Sequence, residues 1–300
     1  MAYTPNSQRT YLTGWRVFCR FRGFPPTEFL AASARDIQEI EAWLSLQGFA
    51  PSTIATYLSG VGFQHKVQGV PDPTRDFLVT KLLEGCKRDH PTSDSRLPIS
   101  LAMLSCIVTA LQYVCSNQFE VLLFRAAMLG ASFAFMRLGE FTADSRYRLQ
   151  DSLLLSSDVS IQGVGSPSAS VLLTFRITKT NKTGPPRVIR LVQSQNKIIC
   201  PVAAFVDYIV VRPASAAPFF CHFDALPLTR FQFNAVLRKA LVFADLGRAH
   251  VRAHFFRTGR ANAAFNKGIS GDDIKDMGRW RSDAFLWNIR PITSNFLPDI

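Results

Sequence analysis

His254 and Arg257 stand three residues apart, a spacing that puts both side chains on one face of a helix. An alanine-rich stretch with Asn262 follows, and Gly268 is placed to end that helix. Ser270, with Asp273 three residues on, is spaced to start a second short helix that runs into Gly278-Arg279-Trp280. A further amphipathic turn, Ala284-Phe285-Leu286-Trp287, closes the stretch. Two hydrogen-bonding or cationic groups on one helix, and a tryptophan just past the next, are able to converge on one anion. Phosphate is the natural candidate, because a guanidinium fork matches its oxygens in pairs.

Two other places carry chemistry of the same kind. Phe119 to Met136 is a nearly all-apolar run that ends in F-M-R-L-G-E, with Arg137 and Glu140. An arginine at the end of a buried helix is costly unless it is paired or reaches something anionic. A structural Arg137–Glu140 ion pair is therefore the plain alternative to a functional arginine. The loop Thr178 to Gly184 joins two β-branched segments and carries Lys179 and Lys182. A lysine-rich hairpin tip, taken alone, is ordinary solvated decoration.

Taken together, these motifs resemble a known family. H-x-x-R, an alanine-rich helix, G-I-S, a short acidic helix and G-R-W-R-S-D-A-F are similar to the C-terminal signature of the tyrosine recombinases, the phage-integrase class. The wording of the last motif is closest to integrase-like proteins of eukaryotic mobile elements. The resemblance implies roles. Arg137 and Arg257 would hold the two non-bridging oxygens of a DNA phosphodiester, with Glu140 in support. His254 and Trp280 would each add a hydrogen bond. Lys179, with Lys182 as the fallback, would protonate the leaving 5′-oxygen. The family needs no metal for this, and no metal, nucleotide or other cofactor motif is present in the sequence.

The resemblance breaks at one position. The family carries its nucleophilic tyrosine eight or nine residues after the Trp or His, and this chain has Asn288 there. A carboxamide is a poor nucleophile with no proton to shed from its oxygen. The six tyrosines are Tyr3, Tyr11, Tyr57, Tyr113, Tyr147 and Tyr208, so none follows residue 208. The expected function is DNA binding by a recombinase-derived protein that keeps the phosphate-holding residues and lacks the cleaving tyrosine. One alternative is an active site-specific recombinase or transposon integrase, with a nucleophile supplied in trans or with Asn288 departing from the natural sequence. A weaker one is a non-catalytic protein-interaction module. Pro291, Pro298 and the short tail argue against a full further C-terminal helix.

The elements that must position these residues are legible from periodicity and punctuation. Helices are expected over 7–22, over 34–46 with Ser33 as N-cap, from Pro51 to Gly69, and over 76–88. Another should begin at Ser100 or Leu101, followed by the buried one over 119–136 and by helices over 202–211 and 229–243. Segments 153–161, 169–177 and 186–191 read as a three-stranded antiparallel sheet. The fold class is thus mainly α with a small antiparallel sheet, in two domains. Residues 1–92 resemble the helical core-binding, DNA-binding domain of the family. Residues 93–98 form a linker inside the polar, proline-bounded stretch Asp89 to Pro98, and 99–300 form the recombinase-like domain.

Charge agrees with a polyanionic partner. The net charge is +12, and residues 98–300 hold 23 of the 34 Lys+Arg and 13 of the 22 Asp+Glu, a net of +10. Double-stranded DNA is the expected partner, with self-association on DNA a further possibility. Arg16, Arg20, Lys66, Arg252, Arg260, Arg279 and Arg281 are the candidate DNA contacts outside the phosphate site. The six cysteines lack metal spacing and read as free thiols of a reducing compartment. The run Val121 to Met136 is too short for a membrane span and is broken by Arg125. No segment of signal-peptide character opens the chain, so an intracellular protein is expected, nuclear if the host is eukaryotic.

Overall fold

The structure is a computed structural model that describes residues 5–89, 98–178, 181–214, 217–247 and 253–289. The chain divides into two compact units, Met1–Asp94 and Ser95–Ile300. The first unit is built from α1 (Pro5–Arg22), α2 (Ala34–Leu46), α3 (Pro51–Val67) and α4 (Phe77–Asp89). Its starts follow the sequence. Ser33 accepts from the Asp36 amide while Asp36 accepts from the Ser33 amide, a reciprocal capping box, and Pro51 opens α3. Trp15, Phe18 and Cys19 of α1 meet Ile37, Ile40 and Leu44 of α2 and Ile54, Leu58 and Val61 of α3 in one apolar core. Glu41 lies on the same buried stripe of α2, fully enclosed, with neither carboxylate oxygen hydrogen-bonded.

The second unit begins with α5 (Leu101–Val114), capped by Ser100, whose hydroxyl accepts from the Met103 amide at 3.1 Å. The next helix, α6 (Gln118–Phe133), is buried on most sides, as its apolar composition requires. A single turn, α7 (Leu138–Phe141), follows it. Next come β1 (Val159–Gln162), β2 (Ser170–Phe175) and β3 (Arg187–Val192), an antiparallel sheet in that order, with Val159 opposite Leu173 and Arg190 opposite Leu172. The first strand starts six residues later than its apolar pattern suggests. Leu153 and Leu154 are buried from a loop, Leu155 bridges Pro218, and a 3₁₀ turn over Ser156–Asp158 precedes β1. That turn is fixed by Asp158, which accepts from the Leu155 amide at 2.9 Å and pairs with Arg176.

Four more helices complete the unit. They are α8 (Pro201–Val211), α9 (Arg230–Phe243, capped by Thr229), α10 (His254–Asn266) and α11 (Gly271–Gly278, capped by Ser270). A 3₁₀ segment, Asp283–Asn288, is the last described element. The core runs from Leu104, Ile107 and Leu111 of α5 through α6 to Phe205 and Tyr208 of α8, Phe233 and Leu237 of α9 and Phe256 of α10. The fold is therefore mainly helical with one small antiparallel sheet.

One contact sets α10 in place. The Ile99 amide donates to the Phe255 carbonyl at 3.3 Å, and the main chain of Ile99 lies directly against Gly259. A β-carbon at position 259 would overlap the Ile99 backbone, so only glycine allows this approach. Among the described residues, no helix is long and apolar enough to cross a membrane, and no three His, Cys, Asp or Glu side chains gather as a metal-holding group. Cys19, Cys86, Cys200 and Cys221 are buried free thiols; Cys106 is exposed and Cys115 half-buried.

Candidate functional site

Arg137 is the N-cap of α7, three residues before Glu140 on the same turn. Its backbone amide donates to Glu140 Oε2 at 2.9 Å and its Nη1 to Oε1 at 3.0 Å. Its Nη2 reaches across to the carbonyl of Arg279 at 3.1 Å. The ion pair that the sequence offered as the plain alternative is therefore present. It does not use up the positive charge of the site, because other guanidiniums arrive from elsewhere in the fold.

Arg279 caps α11 in the left-handed conformation, with φ of 55°. That backbone turn sends its side chain inward, where it is buried against the ring of Phe175, 3.8 Å from the centroid. Its Nη2 donates to Glu140 Oε2 at 2.8 Å and to the Phe135 carbonyl at 3.1 Å. Arg279, expected among the DNA contacts outside the phosphate site, is instead turned into the same group as Arg137 and Arg257. Two arginines thus grip one buried carboxylate, which is the arrangement a buried charge requires.

Arg257 enters from α10 and is only 2% exposed. It donates to the Gly278 carbonyl, and its guanidinium lies 4.2 Å from the centroid of Trp280. Its Nε is enclosed without an acceptor. Burial, and then the nearby charges of Arg137 and Arg279, pull its pKa down to about 9, with Glu140 opposing. Two guanidiniums thus bond the single carboxylate of Glu140, and that of Arg257 lies close enough to feel the charges of all three groups. The buried site therefore carries a surplus of positive charge.

Trp280 takes part through its ring face. It covers Arg257, stacks on Phe285 at 5.0 Å and meets Phe135 edge-on at 5.8 Å. Gly278 makes this possible, since a β-carbon there would fall inside the Trp280 ring. The α7 turn is held from behind. Gln150 Nε2 donates to the carbonyls of Gly139 (2.9 Å) and Thr142 (2.6 Å), and Ser152 Oγ donates to Gly139 at 3.0 Å.

The structure thus brings together Arg137, Glu140, Arg257 and Trp280 among the expected site residues, and adds Arg279, Phe135 and Phe175. His254 opens α10 one turn before Arg257 and is exposed. Lys179 and Arg252 lie outside the described residues, and Asn288 is described by its backbone alone, at the end of the last 3₁₀ segment. Lys182 is exposed on the turn that Asn181 closes by accepting from the Gly184 amide. Arg16, Arg20 and Arg281 are exposed; Lys66 pairs with Asp72 at 2.9 Å. Arg260 is half-buried, its guanidinium 4.5 Å from the centre of the Phe133 ring. Tyr208 is enclosed, its hydroxyl within hydrogen-bond reach of the Phe219 and Cys221 carbonyls and accepting from the Cys221 amide, and burial raises its pKa.

No protein-family model matches the chain, and no curated protein matches it in sequence. Solved structures do match. A fragment of lambda integrase, solved as a dimer bound to a COC′ core site, aligns at a TM-score of 0.66 with 13% identity, covering 100% of this chain and 93% of that one. The site-specific recombinase XerH, bound to a palindromic difH substrate after cleavage, aligns at 0.64 with 15% identity, covering 92% and 73%. The Tn1549 transposon integrase, in complex with transposon right-end DNA, aligns at 0.63 with 14% identity, covering 97% and 91%. The chain therefore carries the fold of the tyrosine recombinases and integrases.

Proposed function

We propose that the protein binds double-stranded DNA and seats a backbone phosphate against Arg257 and Arg137, without a tyrosine of its own to cleave the strand. The carrying observation is the charge imbalance at the site, where Arg137 and Arg279 bond the one carboxylate of Glu140 and Arg257 stands within reach of their charges with no ion pair to a described carboxylate. Arriving phosphate oxygens would take up donors of Arg137 and Arg257 and relieve the repulsion among the cations. Trp280 would hold the planar Arg257 guanidinium in orientation, and His254 would add a donor from the exposed end of α10. The net charge of +10 over residues 98–300 supplies the longer-range attraction. The DNA-bound state of the structural neighbours supports the same partner.

The same reading limits the chemistry. In-line attack needs a deprotonatable hydroxyl beside the phosphate, and position 288 offers a carboxamide. Tyr208, the last tyrosine in the chain, has its hydroxyl engaged in the core. Lys179 remains the proposed general acid of an ancestral reaction, and self-association on DNA belongs to this proposal as well.

A mobility shift with duplex DNA tests the reading. Binding should weaken steeply with salt, each neutralised phosphate contributing a log–log slope of about 0.9. Arg137→Ala combined with Arg257→Ala should weaken binding by at least about tenfold at low salt, with the melting curve as the control for folding. Equal binding by parent and double variant, at low and high salt alike, would sink the phosphate site. Chemistry is tested with a nicked suicide substrate and a search for a covalent protein–DNA band. The parent should give none, and Asn288→Tyr should give one if the remaining site is competent. A band from the parent would instead establish a nucleophile supplied by another molecule.

A further inference from the structure

Arg260 follows Arg257 by three residues on α10, so the two side chains leave neighbouring positions on one face. Their surroundings differ. Arg257 belongs to the group around Glu140, bonded to the Gly278 carbonyl and responsive to Arg137 and Arg279. Arg260 belongs to no such group. Its guanidinium lies on the ring of Phe133 at the end of α6, its Nε is enclosed with no acceptor, and it makes no ion pair with any described carboxylate. Burial lowers its pKa. A half-buried cation without an anion is a standing cost that stacking on an aromatic ring only partly offsets. It is the kind of arginine that a ligand completes.

We propose that Arg260 holds a second backbone phosphate of the bound DNA, distinct from the one seated at Arg137 and Arg257. This rests on the DNA-binding reading given above. The ring of Phe133 fixes the plane of the guanidinium in advance, so little side-chain freedom is lost when the phosphate arrives. The contact reads the backbone and not the bases, and it should strengthen binding to all duplex sequences alike.

The test measures affinity against salt for the full chain, for Arg260→Gln and Arg260→Lys, for Arg137→Ala with Arg257→Ala, and for that pair combined with Arg260→Gln. Arg260→Gln should weaken binding several-fold near 0.1 M salt and make the log–log slope shallower by about 0.9, on each of several unrelated duplexes. Arg260→Lys should keep most of the slope, because it keeps the charge. The combined variant should lose a further slope of about 0.9 beyond the double variant, since two phosphates are involved. A purely structural Arg260 would lower the melting temperature and leave the slope of both single variants at the parent value, which would overturn the proposal. Parent-like slopes for Arg260→Gln beside a weakened Arg137/Arg257 variant would reject the second phosphate and leave the first intact. A parent chain that binds no duplex would instead reject the underlying DNA-binding reading.

Discussion

The indole of Trp280 lies over Arg257 because position 278 carries no side chain. Gly278→Ala is expected to push the ring off the guanidinium, costing on the order of 1–3 kcal/mol of stability and several-fold in DNA affinity, read by thermal melts and mobility shifts. Arg137, Glu140, Arg257 and Trp280 were legible as a group only through the resemblance of their motifs, taken in order, to the tyrosine recombinase signature. The inward role of Arg279 was not. Its partners, Phe135, Glu140 and Phe175, are more than a hundred residues away, and its side-chain direction depends on a left-handed turn at a residue other than glycine. From sequence it is one more arginine in a basic stretch. Arg260 was legible as basic, but its aromatic platform on α6 was not.

At the scale of elements, local chemistry located most boundaries. Ser33, Ser100, Thr229 and Ser270 cap the helices they precede, and Pro51 and Pro201 stand at first-turn positions. The first strand was misplaced because Leu153 to Leu155 are apolar for a different reason: they fill a loop that bridges to Pro218. Periodicity also hides the enclosed carboxylate of α2, where Glu41 shares a stripe with Ile37, Ile40 and Leu44. Burial pushes its pKa up to about 7. The folded protein therefore holds this proton more tightly than the unfolded chain does. Stability should be unaffected by Glu41 below about pH 4.5, fall as the pH rises from there to about 7, and stay reduced above. Glu41→Gln is expected to stabilise the protein by on the order of 1–3 kcal/mol at pH 8 and hardly at all at pH 5, measured by denaturant titration.

For the whole molecule, the uneven charge predicts an uneven division of labour. Each compact unit has its own apolar cluster, so each should fold as a separate fragment with a cooperative melt. The fragment of residues 98–300, with +10 of the +12, should retain most of the salt-dependent slope for duplex DNA. The fragment of residues 1–92 should bind more weakly on its own, as titration of each against the same duplex would reveal. Where the larger fragment is cut matters more than the spacing of secondary structure suggests. Ile99 precedes the first helix of its unit, yet its peptide group is the floor on which Gly259 rests. A version trimmed to begin at Leu101 would keep every helix and strand of the unit while removing the bearing surface beneath α10, leaving Arg257 and Arg260 to find their depth without it.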